Sequence, residues 1–392
     1  MNPLPRKRSV LILISYYVPA FRGGGPIRTV EGLVEEHQDK YDFYIFCSNH
    51  DHGQKTPLPL RASSWIDRGP ARVFYADTST RRSFLRDLAT LRTMRFDFVY
   101  LNSFFSFGFS ILPALLMKFG LIRAERKLIA PRGQFGRSAL GISPRKKRLF
   151  LKASALTRMH SGMVWHGSSE QESREIRTLF PNAQVVVRQN ETNLPLTADI
   201  GNWSPPGAGT RFVYVGRLSP KKRIELALHA LAKASPSCSF DIYGEFEDPA
   251  YEEIVVTCAE SLPKESVVRF HGALPHDQVR AIFTTADFFL FPTSHENFGH
   301  VVAESMSVGC PLIVEDVTPF SDLVSDGMGI IVNDSTVDSW AKAINAAVTK
   351  SAAELRLSRS ATALSFDRWR NRSRQASVFE LLEDIDKPSP RP

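Results

Sequence analysis

Short apolar runs recur along the chain, each followed by a loop and then by a stretch with helical spacing. In the first half they are Val10 to Ile14, Phe43 to Cys47, Val73 to Tyr75, Asp97 to Leu101, Leu128 to Ala130, Met163 to Trp165 and Val185 to Val187. In the second half they are Phe212 to Val215, Phe240 to Tyr243, Val268 to Gly272, Phe288 to Phe291, Leu312 to Val314 and Ile330 to Val332. Continuous apolarity, rather than alternation, marks strands buried on both faces, which belong to parallel sheets covered by helices. Helices are predicted from the first glycine loop to about His37, then over 81–95, 171–179, 224–234, 275–283, from Thr318 onward, and over 336–348, 352–364 and 366–385. Residues 48–70 are polar and proline-containing and read as a long loop. The alternation of strand and helix predicts an α/β protein.

The most informative stretch is Ser294 to Pro311. Pro292 ends the strand before it, and Phe298-Gly299 is a turn into a helix carried by Val301, Val302, Ser305, Met306 and Val308. Gly309 stops that helix and Pro311 prevents its return. Glu296 lies in the loop at the strand's carboxyl end, where open parallel sheets bind ligands. Glu304 lies about two turns further on and reaches the same crevice if its helix face points inward. The N–H groups near Gly299 suit an anion such as phosphate.

Other strand ends carry chemistry too. Gly216-Arg217-Leu218-Ser219-Pro220-Lys221-Lys222-Arg223 follows the first strand of the second half. Two cations before a helix N-terminus suit a pyrophosphate. In the first half, Gly23-Gly24-Gly25-Pro26-Ile27-Arg28 joins the first strand to its helix. It is neither the dinucleotide fingerprint nor a P-loop, and it serves equally as a turn or as a site. Arg132-Gly133 and His166-Gly167-Ser168-Ser169 occupy two further strand ends. Ser169 and Glu170 have the composition of a helix N-cap region.

At 392 residues the chain is too long for one ordinary core, so two domains are expected. The Asn-, Pro-, Gly- and Thr-rich stretch around 190–209 separates them. The total charge of +8 is uneven: residues 1–200 hold about 30 Lys and Arg against about 16 Asp and Glu, leaving the remainder roughly −6. A basic first half points to an anionic partner, such as a membrane surface, a phosphorylated lipid acceptor or an acidic glycan. Arg145 to Arg148 form a basic run that serves either as a solvated helix face or as such a contact. No aromatic–basic motif supports a nucleic-acid partner. The 4 cysteines have no paired or metal-like spacing and fit a reducing compartment. The apolar stretch 104–119 is too short and too interrupted to span a membrane.

Glu296-Asn297-Phe298-Gly299, the second Glu at 304 and Gly309-Cys310-Pro311 together resemble the signature of the retaining glycosyltransferases of family 4. The resemblance implies a GT-B fold: two Rossmann-like, doubly wound domains facing a cleft, with a C-terminal helix crossing back to the first. The expected division is 1–190, a linker at 191–210, a nucleotide-sugar domain at 211–365 and a crossover helix and tail at 366–392. The implied reaction moves a sugar from a UDP- or GDP-sugar to a hydroxyl of a glycan or lipid-linked glycan, in surface or exopolysaccharide assembly. It is expected at the cytoplasmic face of the membrane, without a metal or another cofactor. Arg217, Lys222, Gly216, Gly244, Asn297, Phe298, Gly299 and Glu304 are the implied donor-binding residues, with Glu304 on the ribose. Glu296 and His166 are the implied catalytic residues, acting on the transferred sugar. Gly24, Gly25, Arg28 and Arg132 are the implied acceptor-side residues. Arg132-Gly133 stands where many relatives carry a His, and Arg223 stands where Gly is usual. An epimerase of the same fold is the alternative enzyme, although it usually lacks the Glu-Asn-Phe-Gly string. A non-catalytic sugar-nucleotide-binding protein is a third reading, and the presence of Arg217, Lys222, Glu296 and Glu304 together argues against it.

Overall fold

In a computed structural model of the chain, the residues described are 6–141, 144–205, 207, 209–234, 237–294, 296–316, 324, 328–373 and 376–385. His295 and the helix expected from Thr318 lie outside them. The chain divides into two compact units, Met1–Asn193 with Gln375–Pro392, and Leu194–Arg374.

The first unit holds an eight-stranded sheet in the order β3-β4-β2-β1-β5-β6-β7-β8. The strands are β1 (Arg8–Leu13), β2 (Tyr41–Ser48), β3 (Trp65–Arg68), β4 (Ala71–Ala76), β5 (Arg95–Leu101), β6 (Arg123–Ile129), β7 (Val164–Gly167) and β8 (Val185–Val187). All pairings are parallel except β3 with β4. Alternate residues of β1 serve the two faces. Val10, Ile12 and Ile14 enter one core, and Leu11 and Leu13 the other. Both faces are therefore buried, which is why the strand reads as an unbroken apolar run. The helix Val378–Ile385 closes the first of these cores with Val378, Phe379 and Leu382. The Phe379 ring lies 5.2 Å from both Tyr41 and Phe98.

The second unit holds a six-stranded sheet, all parallel, in the order β11-β10-β9-β12-β13-β14. Its strands are β9 (Thr210–Val215), β10 (Cys238–Tyr243), β11 (Ser266–Gly272), β12 (Phe288–Phe291), β13 (Leu312–Glu315) and β14 (Gly329–Val332). β9 and β12 are central neighbours, so the loops that follow them come together at one end of the sheet. That adjacency builds the site described below.

Several local expectations change. The long loop 48–70 contains β3, a four-residue antiparallel edge strand turned back onto β4 through Gly69. The helix expected over 81–95 ends at Ala89, because β5 begins at Arg95. The single helix expected over 366–385 is two helices, Ala352–Ser373 in the second unit and Val378–Ile385 in the first. A helix at Pro249–Glu260, started by an Asp248 cap, was not anticipated. The presumed linker is tied down on both sides. Glu191 is buried beside Arg188, while Ala198 N–H donates to Asp367 and Trp203 Nε1 donates to Asp287.

Candidate active site

In the second unit, Phe288–Phe291 is wholly buried and delivers Pro292 to the end of β12. The loop after β9 turns through a short 3-10 segment, Pro220–Lys222, beside it. Ser294 donates to Lys221 O through both its N–H (2.9 Å) and its hydroxyl (3.0 Å), which fastens one loop to the other. Lys222 Nζ then donates to Glu296 Oε2 at 2.7 Å and lies 4.7 Å from the centre of the Phe291 ring. The two side chains are only 12 % and 21 % exposed, so water screens the pair weakly. Glu296 Oε1 accepts from the Asn297 N–H at 3.1 Å. Burial pushes the Glu296 carboxyl up, but Lys222, Lys221 and the Asn297 N–H outweigh it, and the net displacement is downward. Glu296 is thus a fixed carboxylate beside a fixed ammonium, an arrangement able to meet both a phosphate and sugar hydroxyls.

The neighbouring positions divide between this site and the framework. Arg217 is half-exposed and ion-paired with Glu247. Gly216 and Gly244 explain each other: a Cβ at Gly244 would stand 1.9 Å from Gly216 O. Gly299 adopts the left-handed conformation (φ 79°) at the start of the helix His300–Met306, a conformation glycine takes without cost. That helix has seven residues, so its dipole is a minor source of anion affinity compared with the lysine. Phe298 points into the core, 4 % exposed, with its ring 4.6 Å from His300, and is packing rather than ligand surface. Glu304 does lie on the inward face of its helix. It is buried, and its Oε1 accepts from His276 Nε2 at 2.9 Å.

In the first unit, Gly24 (φ 74°) caps the helix Gly25–His37, and Arg28 is half-buried on its first turn. The loop is held from below by Asp51, which accepts from the N–H groups of Phe21 and Arg22 at 3.1 and 3.2 Å. Arg132 departs from the acceptor-side expectation. Its guanidinium donates to Asn102 Oδ1 (2.9 and 2.7 Å), to the Tyr100 hydroxyl (2.8 Å) and to Asn190 Oδ1. Tyr100 bonds onward to His166 Nδ1, and His166 Nε2 donates to Arg188 O at 2.6 Å. His166 is 1 % exposed with both ring nitrogens engaged. Its pKa is driven down to about 3 by burial, with Arg132 and Arg188 adding to the effect. It is a neutral interior link and offers no proton to a ligand.

Reading the sequence missed Asp51 and Glu172. Glu172 is buried, accepting from Gly133 N–H at 2.6 Å and from Ser168 N–H at 2.8 Å, and so joins the loops after β6 and β7. The capping pattern Ser169-x-x-Glu172 is the signal that marks Glu172: Ser169 caps the helix Glu170–Leu179 as composition suggested.

Comparison with known proteins agrees with this framework. Among solved structures, sucrose-phosphate synthase from Thermosynechococcus elongatus matches with a TM-score of 0.71 at 16 % identity, covering 97 % of this chain and 99 % of that one. The fold is GT-B. Residues 199–363 match the family described as glycosyl transferases group 1. The GDP-mannose:cellobiosyl-diphosphopolyprenol alpha-mannosyltransferase of Xanthomonas oryzae pv. oryzae is 30 % identical over 171 residues, which cover 42 % of this chain and 45 % of that protein. The matched stretch thus spans less than half of that relative. The GDP-mannose-dependent alpha-mannosyltransferase of Mycolicibacterium smegmatis is 24 % identical over 371 residues, 88 % of this chain and 89 % of its own. The match to the group 1 glycosyl transferases is thus carried by residues 199–363, while the GT-B fold extends over the whole chain.

Proposed function

We propose that the protein is a retaining hexosyltransferase whose donor is a nucleoside diphosphate sugar, with GDP-mannose the first choice, and whose acceptor is a glycan hydroxyl on a diphosphate-linked lipid. The Lys222–Glu296 pair carries this reading. Breaking the glycosidic bond leaves negative charge on the departing diphosphate, and Lys222 and Arg217 stabilise that charge as it grows. Glu296, freed from Lys222 as the phosphate takes over the ammonium, holds hydroxyls of the transferred sugar. Glu304, fixed by His276, receives the ribose hydroxyls. The departing phosphate accepts the proton of the attacking hydroxyl, so no protein base is required. The choice of GDP-mannose and of a lipid-linked acceptor rests on the names of the two relatives.

The protein works at the cytoplasmic face of the membrane in this reading. Among the described residues no helix is long and apolar enough to cross one. The helix Pro144–Leu156 instead presents Arg145, Leu149, Lys152 and Leu156 on one stripe, with Leu149 71 % and Leu156 87 % exposed. Exposed leucines between cations suit an anionic lipid surface.

Calorimetric binding and product analysis with a panel of GDP-, UDP- and ADP-sugars test the donor assignment. Tight binding and turnover of GDP-mannose alone is the expected result. Turnover only of a UDP-sugar rejects the donor choice, and absence of any binding rejects the reading. Co-sedimentation with phosphatidylglycerol vesicles, weakened by salt, tests the location.

A further inference from the structure

We infer that Arg223 is a positioning residue for the donor site, the side chain that holds Lys222 in register with Glu296; this rests on the glycosyl-transfer reading. Arg223 directly follows Lys222 and has φ 51° and ψ 45°, left-handed values that are unfavourable for a residue with a Cβ. Such a conformation persists where the surroundings over-determine it. Here the guanidinium does so. Its Nε donates to Pro292 O at 2.9 Å, at the start of the loop that carries Glu296. Its Nη2 lies 2.5 Å from Glu315 Oε1, on the last residue of β13.

Glu315 is itself immobilised. It is 4 % exposed, its Oε1 accepts from Trp340 Nε1 at 3.0 Å and its Oε2 from the Ser335 hydroxyl at 2.9 Å. Arg223 therefore joins three strand ends: the loop after β9 on its own backbone, the loop after β12 through Pro292, and β13 through Glu315. Glycine, usual at this position in the family this chain resembles, would adopt the same backbone freely but tie nothing. In this chain the backbone strain at 223 is offset by an anchor, and the anchor fixes the direction in which Lys222 leaves the turn.

The test compares the wild type with Arg223→Gly and with the double variant Arg223→Gly/Glu315→Gln. The double variant avoids leaving a buried carboxylate without its cation and keeps an acceptor for Trp340. Amide hydrogen exchange over 219–223 and 292–297, and calorimetric affinity for GDP and UDP, are read on each protein. Exchange at least about fivefold faster in both segments, with nucleotide affinity about tenfold weaker and the loss appearing in KM for the nucleotide sugar more than in kcat, is the expected result. Arg223→Lys, which keeps the charge but not both contacts, should fall between. A folded double variant with wild-type exchange, or one with faster exchange but wild-type affinity, overturns the inference alone. A wild type that binds no nucleotide overturns the glycosyl-transfer reading, and the inference falls with it.

Discussion

Lys222 and Glu296 stand 74 positions apart in sequence, yet the ammonium of one donates to the carboxylate of the other at 2.7 Å. The pair forms because β9 and β12 are hydrogen-bonded neighbours, so the turns that follow them share one end of the sheet. A charge-assisted hydrogen bond of this kind contributes about 1.5–3 kcal/mol. Lys222→Ala is therefore expected to weaken nucleoside diphosphate binding by at least about tenfold. It should also lower the melting temperature, because Glu296 loses its counter-ion. Lys222→Met/Glu296→Gln should recover the melting temperature and leave turnover absent. Calorimetry and thermal melts check both halves, and unchanged affinity in Lys222→Ala removes the lysine from the site.

Gly244 has no room for a methyl group. With Gly216 O 1.9 Å from the place a Cβ would occupy and φ at 154°, Gly244→Ala must part the ends of β9 and β10. A loss of at least about 3 kcal/mol is expected, in line with other backbone clashes in a packed core. A melt within a degree or two of wild type would contradict this.

Acid should expose the burial of His166. An unfolded histidine takes up a proton near pH 6.5, whereas the folded side chain refuses one down to about 3. Between those values the unfolded chain binds more protons, so stability declines as pH falls below 6.5, by up to about 1.4 kcal/mol per unit from this residue. Urea transitions followed by tryptophan fluorescence at pH 7.5, 6.5 and 5.5 should show that slope, and His166→Gln should reduce it without abolishing it, because burial also pushes His160 down, to about 4. Activity loss between pH 8 and 6.5 traced to His166 would restore the catalytic role expected from the sequence.

Chelation makes a different distinction. In the proposed mechanism Lys222 and Arg217 take the part that a divalent ion plays on other nucleotide sugars, so EDTA is expected to leave turnover within about twofold. A complete loss restored by Mg²⁺ or Mn²⁺ would show that the cations do not suffice.

Phe379 carries the closing contact of the first unit. It is fully buried against Tyr41, Phe43 and Phe98. Phe379→Ala should cost about 3–5 kcal/mol, read as an earlier transition of the first unit while nucleotide binding by the second is kept.

Local signals read well from the sequence. Phe288–Phe291 and the helix Ile224–Ala234 fall where apolar runs and helical spacing put them, and Ser169 is the cap its composition suggested. Edges read poorly: β3 spans four residues, two of them charged, and exists through its antiparallel pairing with β4. The site divides the same way. The two loop motifs place Lys222 and Glu296 at one end of the sheet, where the side chains meet, whereas helical spacing alone leaves the face of Glu304 open. That Arg132 would be consumed by Asn102, Asn190 and Tyr100 was not legible, because those partners arrive from other strand ends. Phe298 likewise stands two residues after Glu296 in a ligand motif but turns to the core, where its ring packs on His300 and Trp369, contacts that the motif itself does not reveal. Asp51 acts on backbone 30 positions away, a distance at which composition carries no signal, and the capping pattern that marks Glu172 says nothing of the Gly133 N–H 39 positions away that it also holds.

The helix Val378–Ile385 has a consequence for how the chain is made. The surface it covers, around Tyr41, Phe43 and Phe98, leaves the ribosome long before the helix does, with the whole second unit translated in between. Until residue 385 has emerged, the first unit carries an uncovered aromatic patch of the kind that chaperones and proteases recognise. Every nascent chain therefore passes through a stage in which its older half waits for its youngest segment, and a product cut short within the second unit never leaves that stage.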